Sequence, residues 1–181
     1  MKRIILAVIM VCGISSAYAQ KYLTRTGKIT FYAGTSLENI EAKNNEVASV
    51  LNAENGEFIF QAPVKSFKFE RALMEEHFNE NYMESSKYPK AEYKGKVSDL
   101  SKVNFTKDGI YNVTTKGKMS MHDVTKDVEL PGSITVKGGN ITVYSKFNII
   151  PQDYNISIPG LVKDKIAKEV EVTVNSILEK K

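Results

Sequence analysis

The chain predicts an all-β domain, an antiparallel β-barrel of about eight strands with one inserted amphipathic helix. Three observations point there. Apolar side chains recur with period two along one segment after another, so each strand hides one face and wets the other. Turn signals punctuate those segments at intervals of about ten residues. A single stretch changes its period to that of a helix.

Along the chain, Ile29, Phe31 and Ala33 alternate with Lys28, Thr30 and Tyr32. Between Leu37 and Leu51 the parity changes: Ile40 and Ala42 share one face, and Val47, Ser49 and Leu51 the other. That shift predicts a bulge near Asn44-Asn45 that bends a long strand. Phe58 with Phe60, and Phe67 with Phe69, form period-two pairs broken by Pro63. From Arg71 to Met83 no Gly or Pro occurs. Met74, Phe78 and Tyr82 recur at helical spacing with Leu73 and His77 beside them, while Glu75, Glu76 and Glu80 fall outward. This is the inserted helix, ended by Ser85 to Pro89.

The alternation then resumes. Ala91, Tyr93, Gly95 and Val97 oppose Glu92, Lys94 and Lys96, and Tyr111, Val113, Thr115, Gly117, Met119 and Met121 form one face of a long strand. Ile141, Val143, Ser145, Phe147 and Ile149 follow, then Val170, Val172 and Val174. The turn signals are Asn55-Gly56, Asp108-Gly109, Pro131-Gly132, Gly138-Gly139-Asn140 and Pro159-Gly160. A second short helical turn is expected within Leu161 to Ala167. Gly95 and Gly117 lie on apolar faces, where a missing side chain eases strong bending or makes room for a ligand. That favours a closed barrel over a sandwich.

The first nineteen residues carry the parts an export machine reads. Lys2 and Arg3 give the charged start, Ile4 to Ile14 a short apolar core, and Ala17-Tyr18-Ala19 a small-x-small cleavage site before Gln20. An apolar run of about eleven residues is too short to span a bilayer of roughly 30 Å. The expectation is therefore a signal peptide at 1–19, one domain at 20–181, and a periplasmic or secreted protein. Cys12, the single cysteine, lies inside the leader, so disulfide and thiolate chemistry drop out of the mature chain. The leader takes Lys2 and Arg3 from the 25 basic residues and none of the 21 acidic ones, leaving a formal charge of +2. Lysines and glutamates are interspersed instead of massed in a stripe, which argues against nucleic acid.

Candidate chemistry is sparse. His77 and His122 are far apart in sequence, and no Gly-x-Ser-x-Gly elbow is present. Met119-Ser120-Met121-His122 contains thioether and imidazole ligands suited to copper, but Met119 and Met121 share the parity of Tyr111 and Val113 and read as interior packing. Metal and catalytic residues are accordingly assigned to none. The aromatic side chains either fill a packed core or line a cavity that a ligand completes, since a small barrel can be filled by its own side chains.

Three stretches carry a resemblance to a known family. Pro63-Val64-Lys65-Ser66-Phe67-Lys68-Phe69 leads through His77-Phe78 and Tyr82 to Lys87-Tyr88-Pro89 and Ala91-Glu92-Tyr93-Lys94-Gly95. His122 to Pro131 reads His-Asp-Val-Thr-Lys-Asp-Val-Glu-Leu-Pro, and a valine-rich strand closes the chain from Lys168 to Leu178. Together they make the chain resemble the YceI-like family of exported, lipocalin-like barrels associated with polyisoprenoid lipids. Asp123 stands where the family often has glycine, a position that asks for left-handed backbone, which aspartate tolerates.

The resemblance implies a non-enzymatic carrier whose lumen holds the tail of an isoprenoid lipid, such as a quinone or polyprenyl phosphate. Its apolar wall falls to Phe60, Phe67, Phe69, Met74, Phe78, Tyr93, Val113, Met119, Val143 and Phe147, with Tyr82, His77 or Tyr88 meeting the head group. No cofactor is implied beyond that lipid. Transient membrane contact is implied as well, and a homodimer is left open. The rival is a structural or stress-related envelope protein with a self-filled barrel that binds a protein partner.

Overall fold

The computed structural model describes residues 20–181, so the expected leader, its cleavage site and Cys12 lie outside the described residues. The strands are β1 (Lys21–Tyr32), β2 (Glu41–Asn52), β3 (Glu57–Pro63), β4 (Lys68–Phe69), β5 (Lys90–Val97), β6 (Gly109–Met121), β7 (Val124–Lys137), β8 (Asn140–Ile149) and β9 (Val170–Lys180), with one helix, α1 (Ala72–His77), between β4 and β5. All neighbours are antiparallel, in the order β1-β9-β8-β7-β6-β5-β3-β2, and β2 pairs back onto β1. The result is a closed eight-stranded barrel, with β4 a two-residue extension on β2.

Closure demands sharp bending of β1 and β2, and their register shows how it is met. Pairing passes from Thr24↔Ser49 to Gly27↔Val47 and then to Ile29↔Asn44, so each strand in turn carries an extra residue. The second irregularity is the bulge expected near Asn44-Asn45. Asn44 is fully buried there. Its carboxamide oxygen accepts the Glu46 N–H at 2.8 Å, and its nitrogen donates to the Pro63 carbonyl at 2.8 Å. One side chain thus satisfies a backbone group freed by the bulge and anchors the end of β3. Gly27 sits at the same corner, where a Cβ would collide with Ser176 Oγ.

The barrel has one solid end and one lidded end. At the solid end Leu51, Ile141 and Leu178 are inaccessible to solvent, and Tyr22 stacks on Phe105 at 6.4 Å between ring centroids. Leu100, Val103 and Phe105 of the β5–β6 connection pack over that end. The opposite end collects the β1–β2 loop, α1, the β6–β7 hairpin and the long β8–β9 connection. The hairpin turn at His122-Asp123 has φ of 48° and 62°, the paired left-handed geometry of a type I′ turn, so Asp123 serves where glycine is common.

Three expectations change in detail. Pro131-Gly132 is no turn: both residues lie inside β7, opposite Thr114 and Val113 of β6. β8 pairs with β7 only along Gly132–Lys137, and beyond that point it follows β9 alone. The Pro131 carbonyl accepts Ser145 Oγ at 2.6 Å, so the proline's missing N–H faces the side where β8 departs and costs no ladder bond. The helix expected over Arg71 to Met83 is α-helical only through His77 and then widens into a π turn at Phe78–Tyr82. Asn79 explains the change, because its side chain donates to the Glu75 carbonyl at 2.9 Å while the Met83 N–H reaches Phe78 O at 2.8 Å. The turn expected at Leu161 to Ala167 is a single 3₁₀ turn at Gly160–Val162.

Replacing Asn44 by alanine strands two backbone groups at the bulge. Asn44→Ala is expected to lower unfolding free energy by about 2–3 kcal/mol in urea titrations with an unchanged denaturant slope. A loss under about 0.5 kcal/mol would show that the bulge holds itself.

Candidate functional site in the barrel lumen

The alternation along the strands aims one face of every strand at a common axis, and the lumen is not filled. It contains a cavity of about 530 Å³. Cross-strand register builds its walls as rows. Phe60 pairs with Tyr93, and Tyr93 with Met119, so β3, β5 and β6 set three large side chains at one level. Phe31 pairs with Val172, and Val172 with Phe147, which makes the matching row on β1, β9 and β8. Val113 and Val143 line the lumen from β6 and β8.

The lid belongs to the segment between β3 and β5. Phe78 packs on Phe31, Phe67 and Phe69 at centroid separations of 5.4, 5.6 and 5.1 Å. The π turn lets Phe78 and Tyr82 both face the cavity while Met83 is buried beneath them. Met74 and His77 line the lumen from α1, where His77 is exposed at the rim. Every residue expected in the wall, and both His77 and Tyr82, therefore border this one cavity. Tyr88 does not. Its ring makes a tilted contact with that of His122, 4.5 Å between centroids, outside the lumen, because the Glu84 to Lys87 turn swings it toward the β6–β7 hairpin.

Two groups of lining residues were not in the expected set. Ile29, Phe31, Phe58, Val172 and Val174 share the inward parity of their strands, so the period-two signal contained them. Ile156, Ile158, Val162 and Ile166 belong to the β8–β9 connection, which has no period to betray its inner side. That connection spans the place where β7 and β8 part. Tyr154 is buried in it and its carbonyl lies 3.1 Å from His122 Nδ1, while Asp153 pairs with Lys126 of β7 at 3.0 Å.

Polar groups on the inward faces are few, and among them the buried Ser49 and Ser176 hydroxyls have no hydrogen-bond partner. The Tyr93 hydroxyl donates to Thr115 Oγ1 at 2.8 Å across Gly95. A Cβ at Gly95 would strike that phenol, and one at Gly117 would strike the Lys94 carbonyl. The space at these glycines thus serves the tyrosine ring and close strand approach, not a ligand. Charge is confined to the rim, where Glu38 bridges Arg71 and, at 3.5 Å, Lys165. Among the described residues no group of three His, Cys, Asp or Glu side chains could hold a metal ion. The arrangement offers an apolar chain a dry, aromatic-walled space with a polar rim at one end, and such concave apolar sites of about 300–1,000 Å³ are typical of small-molecule binding.

The profile of the YceI-like domain matches residues 19–177. The chain belongs to the YceI-like family. Solved structures agree with this barrel. A polyisoprenoid binding domain from Saccharophagus degradans implicated in plant cell wall breakdown superposes with a TM-score of 0.77 at 16% identity, covering 89% of this chain and 98% of that one. BcnA of Burkholderia cenocepacia gives 0.69 at 15% identity over 84% and 95%. The Campylobacter jejuni YceI protein gives 0.61 at 13% identity over 81% and 88%. No curated protein sequence matches the chain. At these identities the likeness establishes that the YceI-like barrel is shared.

Burial raises the phenol pKa of Tyr82, and also that of Tyr93, where the Thr115 hydrogen bond opposes it. The unfolded chain releases these protons near the ordinary tyrosine value, about 10, while the folded barrel still holds them. Stability should therefore fall as pH rises above about 10. The urea midpoint of a Tyr82→Phe, Tyr93→Phe double variant should fall less steeply over that range. Parallel curves for parent and variant would remove both phenols as the cause.

Proposed function

We propose that the protein binds a long-chain isoprenoid lipid, of quinone or polyprenyl type, in the barrel lumen and carries or buffers it in the periplasm. The observation that carries this reading is the cavity of about 530 Å³ inside a closed barrel, walled by apolar and aromatic side chains, with the Tyr93 hydroxyl bonded to Thr115. The polyisoprenoid binding domain among the structural relatives supports the choice of lipid. The export-type leader motivates the compartment.

A closed core around Phe60, Phe67 and Phe147 would favour the rival reading, a self-filled barrel; the cavity that these rings border supports the carrier reading. Burying about 600 Å² of isoprenoid at about 25 cal/mol/Å² yields roughly 15 kcal/mol gross relative to water. A membrane donor is already as apolar as the lumen, so net transfer from bilayer to barrel is close to balanced. That suits an exchangeable carrier, and no step of it requires bond chemistry.

Organic extracts of protein purified from its native envelope should contain an isoprenoid lipid by mass spectrometry, in near-stoichiometric amount. Correctly folded protein that yields no lipid would overturn the reading. Filling the lumen provides a second check. Val143→Trp is expected to cost about 1–3 kcal/mol of stability through overpacking yet keep the barrel's circular dichroism. Its lipid content should drop at least tenfold, and full retention would place the ligand elsewhere.

A further inference from the structure

Large apolar side chains left in water occur at both ends of the barrel, with Ile110 and Ile177 toward the solid end and three leucines together at the lidded end. Leu161 is 98% exposed in the β8–β9 connection, Leu37 is 69% exposed in the β1–β2 loop, and Leu73 is 61% exposed on α1. They come from distant parts of the chain, yet the backbone ties their loops into one rim. Thr35 Oγ1 donates to the Asp164 carbonyl at 2.9 Å, and the Ala167 N–H donates to the Ala33 carbonyl at 2.8 Å. Glu38 then joins this side to the start of α1 through Lys165 and Arg71.

We propose that Leu37 and Leu161 form the leading edge of a surface that docks on bilayers containing anionic lipid. The inference rests on the lipid-carrier reading for its purpose, though not for its geometry. In each loop the exposed leucine is followed directly by a residue that faces the lumen, Val162 after Leu161 and Glu38 after Leu37. Leu73 is exposed and lines the cavity at once. A rim leucine seated among acyl chains would therefore stand beside the cavity wall, and at Leu161 and Leu73 that wall is apolar, giving a tail a continuous path.

Charge sets both the partner and the tilt. The Leu161 loop carries Lys163, Lys165 and Lys168 against Asp164 and Glu169, whereas the α1 side carries Glu70, Glu75, Glu76 and Glu80 against Lys68 and Arg71. Basic side chains beside exposed leucines suit an anionic lipid surface, which attracts juxtamembrane lysines and receives the apolar tips. The acidic α1 side is held away, so the molecule leans onto Leu161 and Leu37. A bilayer offers headgroup charge and an apolar interior together, which matches both halves of this rim.

The chain contains no tryptophan, so a single one reports cleanly on its surroundings. Residues 20–181 contain the whole closed barrel and are free of the apolar leader. In that protein the Leu161→Trp emission should shift to the blue on mixing with phosphatidylglycerol/phosphatidylcholine vesicles, and a quencher carried on the acyl chains should quench it. The response should weaken with salt and on phosphatidylcholine alone. Co-sedimentation with the anionic vesicles should drop about tenfold for each leucine removed in Leu37→Ser and Leu161→Ser. Unshifted emission, or unchanged sedimentation of the folded double variant, overturns the docking surface. Lipid extraction from the same proteins separates the two ideas: cargo without vesicle binding sinks only the rim, and vesicle binding without cargo sinks only the carrier.

Discussion

β1 hydrogen-bonds β2 along one side and β9 along the other, and that double pairing turns a meander of hairpins into a tube. Among the described residues the closed tube leaves only partial free edges, along Gly109–Val113 of β6 beyond β5 and where β7 and β8 part, so most of the strand backbone is satisfied within the barrel. The cost falls on the corner where β1 and β2 bend hardest. There Gly27 makes room for Ser176, and the Asn44 carboxamide replaces the ladder bond that the bulge removes. Buried hydrogen bonds at a bulge are unforgiving, because each group left unpaired carries its full desolvation penalty. The cavity exists because this corner holds.

The two ends of the tube then take different fates from the same strand chemistry. At one end aliphatic side chains from β2, β8 and β9 meet and exclude space. At the other, aromatic rings border the open cavity, and Phe78 packs from the lid onto Phe31, Phe67 and Phe69. The lid itself is a short helix ended by a wide turn, and the wall beneath the β8–β9 connection is held by loop contacts instead of ladder bonds. Segments that depend on few backbone bonds are those that open at least cost. If the lumen carries a lipid as proposed, the lidded end is where it would enter and leave, while the solid end keeps the fold.

How much of this was legible in the sequence follows from what period two can and cannot encode. Parity identified the inward faces, and so Phe60, Tyr93, Met119, Val113, Val143 and Phe147 reach the same lumen. Helical spacing brought Met74, Phe78 and Tyr82 to it. The change of parity around Asn44 marked the bulge, because one extra residue flips every later side chain to the other face. Pro131-Gly132 misled for a local reason. The pair has turn chemistry, and only its place opposite β6, where β8 departs, makes a proline harmless within a strand.

By itself the sequence determined a one-sided all-β chain, the position of its helix, the absence of a thiol from residues 20–181, and the side chains available to an interior. Tertiary structure decided whether that interior is full. The answer depends on strand number and closure, which set the distance between facing rows such as Phe31–Val172–Phe147 and Phe60–Tyr93–Met119. It also depends on aperiodic loops, where Ile156 and Val162 turn inward and Leu161 outward with no repeating pattern to announce it. Local periodicity records which way a side chain points. It carries no measure of how far away the opposite wall stands.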